Sequence, residues 1–214
     1  MKDVLRALPS LAGPFPDFDM ATTPADPIEL FGVWLQDAIN AGIQEPHTMV
    51  LSTVDETGQP DARVLILKNL DARGWHFATT GNGPKGGQIE ANPNVSLTFY
   101  WSPLGRQVRI RGRAFKADDH ERDADFLARS AAAKANVFAG RQSQPLSSRQ
   151  ELAETLAAYE RVVVETPDRV SLNWALFIVS PHEVEFWQGA KDRRHHRLLY
   201  TRENAIWRRG QLWP

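Results

Sequence analysis

The chain contains no cysteine. Disulfides, thiol nucleophiles and thiolate metal sites are all excluded, and this usage fits a reducing compartment. No apolar run approaches the ~20 residues that a membrane-spanning helix needs. Met1-Lys2-Asp3 leads into a mixed stretch without a long apolar core, so no signal peptide is expected and the cytoplasm is the default location. Charge of one sign is also lacking: 25 Lys and Arg stand against 26 Asp and Glu, a net charge of -1. That balance argues against nucleic acid or an anionic membrane as partner, and leaves room only for a local basic site. There is no Gly-x-Ser-x-Gly elbow, no Gly-x-Gly-x-x-Gly fingerprint and no Walker loop. The six histidines show no metal-ligand spacing with carboxylates, so no metal is expected.

What is present fits one packed domain. Of the 214 residues 42% are hydrophobic and 24% charged, a composition that folds rather than staying disordered. Residues 1–25 read as a flexible arm, because Pro9, Pro14, Pro16 and Pro24 break any helix. Residues 26–214 read as a single domain. Asp26, Pro27 and Glu29 have the spacing of a helix start. Ile28, Phe31, Trp34, Leu35, Ala38 and Ile39 then share one helical face, up to a stop at Gly42.

The period then changes. Thr48 to Val54 and Ala62 to Leu70 read as a hairpin around Asp55-Glu56-Thr57-Gly58, and Gly74 to Thr80 as a third strand. Gly81 to Gly87 reads as a loop, with a short helix closing over Gln88 to Ala91. In Asn94 to Trp101, Val95, Leu97, Phe99 and Trp101 alternate with polar residues, and Arg106 to Lys116 alternates again. Asp118 with Glu121, and Ser148 with Glu151, start two further helices. Ala131 to Pro145 between them reads as a loop or a frayed helix. The last part, from Val170, gives two or three more strands. The expected fold is mainly β with flanking helices: six or seven antiparallel strands in a closed sheet, with about four helices.

Three constellations carry chemistry. Arg63 and Lys68 place two cations in an otherwise apolar strand. They need anions unless they reach water at the strand ends. Thr79-Thr80-Gly81-Asn82-Gly83-Pro84-Lys85-Gly86-Gly87 lets backbone N–H groups approach a phosphate, with Lys85 supplying charge. Taken alone such a stretch is more often just a flexible turn. Glu185-Phe186-Trp187-Gln188, then Arg193, His195 and Arg197, offers a cationic and aromatic face suited to a flat anionic ligand. The alternation puts the last three on one strand face, whose plain alternative is a solvated basic edge.

These pieces resemble the pyridoxine/pyridoxamine 5'-phosphate oxidase family, from about Asp26 to Pro214. Glu185 to Gln188 with Arg193, His195 and Arg197 match most strongly, followed by the ending Trp207 to Pro214. Arg63 to Lys68, Gln88-Ile89-Glu90 with Asn92-Pro93, Arg106-Gln107-Val108 and Asn173-Trp174 match less strongly. The resemblance implies an FMN-binding split β-barrel working as a homodimer, with FMN at the dimer interface. It implies that Arg63, Val64, Leu65, Ile66, Lys68, Ala78, Thr79, Lys85, Gln107, Gln142, Ser143, Trp187 and Arg197 bind the cofactor. Lys68, Arg129, Arg193 and His195 would face the substrate, with Arg193 and His195 catalytic. The implied chemistry is hydride transfer from a small aromatic substrate to the flavin, then reoxidation by molecular oxygen to hydrogen peroxide.

The chain also departs from that pattern. Asp125 and Ala133 stand where the family usually has a tyrosine and a serine that help bind the substrate phosphate. Pro84 replaces a basic residue, and Arg194 and His196 replace an aliphatic residue and an acid. Glu45-Pro46-His47 and Asp61-Ala62-Arg63 resemble the phenazine-biosynthesis branch, which oxidises tricyclic aromatics without a substrate phosphate, whereas Lys68 fits the vitamin branch. A flavin- or pyridoxal-phosphate-binding carrier without turnover is the third reading.

Overall fold

The computed structural model describes the whole chain, Met1–Pro214. Its elements run α1 (Lys2–Ala7), α2 (Pro27–Asn40), β1 (Thr48–Val54), β2 (Pro60–Ile66), β3 (Asn69–Asp71), β4 (Gly74–Thr80), α3 (Pro84–Ala91) and β5 (Asn94–Trp101). After a 3-10 turn at Ser102–Leu104 come β6 (Arg106–Lys116), α4 (Asp119–Leu127), α5 (Ala131–Ala139), α6 (Arg149–Glu165), β7 (Trp174–Gln188), β8 (His196–Glu203) and β9 (Ile206–Gln211). No helix is long and apolar enough to cross a membrane.

Each firm element starts where local chemistry starts it. The Asp26 carboxylate accepts from the Ile28 N–H and Pro27 takes the first helical position of α2. Asp118 and Ser148 accept from the N–H of Glu121 and of Glu151, opening α4 and α6. In β5, Val95, Leu97, Phe99 and Trp101 all point inward. Apolar residues on one face of α2 then enter the curled sheet. Phe31 meets Trp75, Phe99 and Trp101, and Trp34 meets Phe186, mostly edge to face. Leu30 belongs to that buried face and Ile39 does not, because Ile39 stands half exposed at the far end of the helix.

All nine strands pair antiparallel, in the order β2-β1-β5-β6-β7-β4-β3, with β8 joining β7 and β9 joining β8. The sheet curls because the chain changes partner between successive residues. The Leu67 N–H donates to His47 O, at the start of β1, and the Lys68 N–H donates to His76 O in β4. The apolar run expected as one strand to Leu70 is therefore broken at Leu67-Lys68 into β2 and β3. Seven strands form the continuous path from β2 to β3, as expected, and β8 and β9, attached beyond it, bring the paired strands to nine.

β7 is the spine. Its first half pairs β4, from Trp174 opposite Thr80 to Val179 opposite Trp75. Its second half pairs β8, from Glu183 opposite Thr201 to Gln188 opposite His196. β6 runs along its other side throughout, with a register shift at Arg111/Gly112. Gly112 is needed there, because a Cβ would lie 2.4 Å from Ser180 O.

Several expectations are corrected. Residues before Pro9 form the exposed helix α1, since proline stops a helix only from its own position onward. Pro84-Lys85-Gly86-Gly87 belongs to α3 rather than to a loop; proline suits the first turn and the glycines are tolerated there. Ala131 to Ala139 is the ordered helix α5, capped by Ser130, and only the residues after it form a loop. Arg193 and His195 do not share a strand face with Arg197. They lie in the turn before β8, where Arg193 adopts φ +66°.

Candidate active site

A cleft of about 480 Å3 opens where β2 and β4 meet the α5–α6 hairpin. Leu65, Ala78, Thr79, Lys85, Arg129 and Gln142 line it, together with Trp174. The hairpin roof adds Val137, Leu152 and Leu156, and the loop joining its helices adds Pro145 and Leu146. A small apolar cluster of Phe126, Val137 and Trp174 ties α4 and α5 to the start of β7, which fixes the roof over the strands.

One corner of the cleft gathers cations. Arg63, on the inner face of β2, donates to the Thr53 hydroxyl at 2.6 Å, to Gln88 Oε1 at 3.1 Å and to the Asp61 carboxylate. Lys85, in the first turn of α3, donates to Gln142 Oε1 at 2.7 Å, and the Thr80 hydroxyl donates to the same oxygen at 2.9 Å. Burial pushes the Lys85 ammonium below its ordinary pKa, and the neighbouring charge of Arg63 pushes it the same way. Arg63 is already paired with Asp61, so Lys85, whose hydrogen bond goes to the neutral Gln142 amide, is the cation of this corner that an added anion would meet. Gly83 and Gly86, beside Lys85, are closely packed against the chain's own atoms. A Cβ on Gly86 would lie 2.1 Å from Gly81 O, and one on Gly83 would lie 2.6 Å from Gln142 Oε1. The N-terminus of α3, whose cap Gly83 offers no side chain, adds outward N–H groups.

The opposite wall is built on Trp174. The Arg129 guanidinium lies 3.9 Å over the Trp174 ring. Its Nη2 reaches Ala133 O at 3.4 Å, and its Nε is buried without a partner. Burial pushes Arg129 below its ordinary pKa, partly opposed by the Asp125 carboxylate. The Trp174 indole N–H donates to Asp125 Oδ2 at 2.7 Å, and Asp125 Oδ1 stands 3.3 Å from Lys68 Nζ.

The remaining residues of interest lie elsewhere on the chain. Gln107 on β6, Trp187 on β7 and Arg197 on β8 are register neighbours across three strands. Arg197 Nε donates to Glu185 Oε1 at 2.7 Å, and Arg109 also donates to that carboxylate. His195 Nδ1 accepts from the Ala190 N–H, with its ring 4.9 Å from Trp187. Arg193 reaches the Ser10 hydroxyl at 3.3 Å. From Ala175, paired with Thr79 of the cleft, to Trp187 is roughly 40 Å of extended strand. The two groups therefore sit at opposite ends of β7. Val64 and Ile66 point away from Leu65 to the exposed outer face of β2, and Ser143 is exposed outside the cleft lining. Residue-by-residue reading assigned no role to Asp61, Thr53, Glu185 or the α5–α6 roof. Thr53 meets Arg63 only through the β1–β2 register, whereas Asp61 lies two residues before Arg63 on the same strand.

Two family patterns match the chain. Residues 35–162 match the one described as Pyridoxamine 5'-phosphate oxidase, and residues 174–214 match the Pyridoxine 5'-phosphate oxidase C-terminal dimerisation region. The chain belongs to the pyridoxine/pyridoxamine 5'-phosphate oxidase family. A relative of that name from Rubrobacter xylanophilus is 45% identical over 189 residues, covering 88% of this chain and 87% of the relative. Another, from Thermosynechococcus vestitus, is 41% identical over 88% of this chain and 89% of its own. Among solved structures, PhzG from Burkholderia lata, in complex with tetrahydrophenazine-1-carboxylic acid, superposes with a TM-score of 0.88. It is 30% identical and covers 94% of this chain and 100% of its own. The fold is also that of a pyridoxamine 5'-phosphate oxidase-related, FMN binding protein from Nostoc punctiforme: TM-score 0.72, 19% identity, 90% of this chain and 100% of that one. The family's split barrel is the nine-stranded curled sheet described above.

Proposed function

We propose that this chain is an FMN-dependent oxidase that converts pyridoxamine or pyridoxine 5'-phosphate to pyridoxal 5'-phosphate, with molecular oxygen reduced to hydrogen peroxide. The observation that carries this reading is the corner where Arg63 and Lys85 converge beside close-packed glycines. It opens into a cleft whose other wall is Trp174 under Arg129. A flat ligand with a phosphate arm fits that donor set. Arg63, Lys85 and Gln142, with Ser143 on the adjoining loop, would hold the FMN phosphate, and Leu65, Ala78 and Thr79 would wall the ring system. FMN held there would supply a two-electron acceptor for oxidation of the substrate carbon, with molecular oxygen as the final acceptor. The chain's own groups bind and orient. Lys68 and Arg129 offer positive charge to the substrate's phosphate arm. Arg193 and His195 are the groups assigned to position the pyridine ring and to stabilise its changing charge.

The half-sites support a homodimer as the working unit. Gln107, Trp187, Arg193, His195 and Arg197 gather at the far end of β7 from the cleft, and none of them lines it. The same group on a second copy would complete it, and a two-fold dimer forms two such sites at once. The likeness to PhzG is one of fold and does not displace the vitamin reading, since the relatives named for that activity are more similar in sequence.

Oxygen uptake with both phosphorylated vitamers tests the activity, and turnover no faster than free FMN would remove it. Mixing tests the shared site. Lys85→Ala and Arg197→Ala chains, each inactive alone, should regain about a quarter of the wild-type sites after subunit exchange. No recovery, with mixed dimers confirmed by mass, would place each complete site within one chain.

A further inference from the structure

The cation pair on the Trp174 wall is not left free for a dianion. Lys68 faces the Asp125 carboxylate at 3.3 Å, and Asp125 is held in place by the Trp174 indole N–H at 2.7 Å. Asp125 is mostly enclosed, with 15% of its side chain exposed, so its charge is poorly screened by water. The same carboxylate also acts electrostatically on Arg129. Two positive groups and one negative group thus gather around Trp174, with Arg129 the one that lines the cleft itself, a net charge of one rather than two. Arg129 is the member left wanting: it is stacked on Trp174, its Nε is buried without a partner, and burial disfavours its charge. An incoming anion would meet Arg129 as an under-satisfied cation and Lys68 as one already neutralised.

We infer that Asp125 is a specificity-determining residue that lowers the cleft's preference for a phosphate dianion, so that unphosphorylated ring alcohols and amines compete in this chain. The inference rests on the reading of this wall as the end that receives the substrate's phosphate arm. A dianion beside Asp125 repels a fixed negative charge at short range, whereas a hydroxymethyl group in its place meets no such penalty and can donate to the carboxylate. Asp125 does not touch the reacting atoms. Its effect appears in binding and KM rather than in kcat.

The test uses the FMN-loaded protein and two probes without a carbonyl, 4-deoxypyridoxine 5'-phosphate and 4-deoxypyridoxine, with binding followed by tryptophan and flavin fluorescence. Asp125→Asn keeps the shape and can still accept from Trp174. It should tighten the phosphorylated probe at least about tenfold relative to the unphosphorylated one, which is about 1.4 kcal/mol. Asp125→Glu, which keeps the charge, should hold the wild-type ratio. With substrates, Asp125→Asn should lower KM for the phosphorylated vitamers and leave kcat nearly unchanged. An unchanged ratio in a folded, FMN-retaining Asp125→Asn protein overturns the inference and leaves the oxidase reading intact. Failure of either probe to bind any of these proteins while FMN stays bound overturns the placement of the substrate on this wall, and the inference with it.

Discussion

Glu185→Gln is a sharp perturbation, because one buried carboxylate holds together the far half-site. Glu185 is 3% exposed and accepts from Arg197 and Arg109 on the strands to either side of β7. Burial alone would push its carboxyl up. The hydrogen bonds from Arg197 and Arg109, with their charges, outweigh burial and hold it below the ordinary value of 4.5. Glutamine keeps the shape and loses the charge. A charge-assisted hydrogen bond contributes ~1.5–3 kcal/mol. Arg109 is 47% exposed and can rehydrate, so the loss falls at the low end, about 2–4 kcal/mol in all. For a chain of this size that lowers Tm by roughly 5–15 °C. The pH dependence has a definite sign. A carboxyl whose folded pKa is depressed contributes stability above its unfolded pKa, and the contribution is lost as pH falls through the folded value. The gap between wild type and Glu185→Gln should therefore be full at neutral pH and close as pH falls below the ordinary value of 4.5 and through the lowered folded value. Calorimetry of the apo-protein across that range measures it. A gap that does not change with pH, or a shift below about 1 °C at neutral pH, would refute the counter-ion role assigned to Glu185.

Lys85→Met should weaken FMN binding about 10–100-fold and flatten its salt dependence, as seen by flavin fluorescence titration. The apo-protein's Tm should be unchanged or slightly higher, because burial and Arg63 already disfavour the Lys85 charge. Gly86→Ala should cost ~1–3 kcal/mol and impair FMN retention, since its Cβ would strike Gly81 O; Gly87→Ala, with open space, should be neutral or stabilise α3 by up to ~1 kcal/mol in urea titrations. Gly74→Ala should prevent accumulation of folded protein, because φ is +136° and a Cβ would lie 1.9 Å from Val179 O, which circular dichroism of purified material checks.

What could be read from the sequence was what is decided locally. The caps at Asp26, Asp118 and Ser148 and the alternation in β5 need only neighbours within a few residues. So do the matches that put Arg63, Lys85 and Gln142 on one ligand, three residues that the structure gathers around one corner. What was hidden depends on distant partners. The break at Leu67-Lys68 arises because His47 and His76 compete for successive N–H groups, and no apolar pattern marks it. The partner change along β7 is invisible because Trp174 to Val179 is continuously buried and shows no period of two. Alternation put Arg193, His195 and Arg197 on one face because a turn and a strand can share the same spacing of residue types. Asp125 stood out in the sequence only as a departure; its pairing with Lys68 and Trp174 needs α4 laid against β7.

The roof over the cleft is attached unevenly: α5 is tied to the start of β7 through Val137, whereas α6 is lightly held. Along its seventeen residues α6 buries only Val163, and it is joined to α5 by a loop whose residues from Arg141 onward are exposed. The barrel beneath is closed by Trp34, Trp75, Phe99 and Phe186. Detaching α6 therefore costs a small part of what unfolding the barrel costs, and amide exchange along α6 should run well ahead of exchange in the strands beneath it.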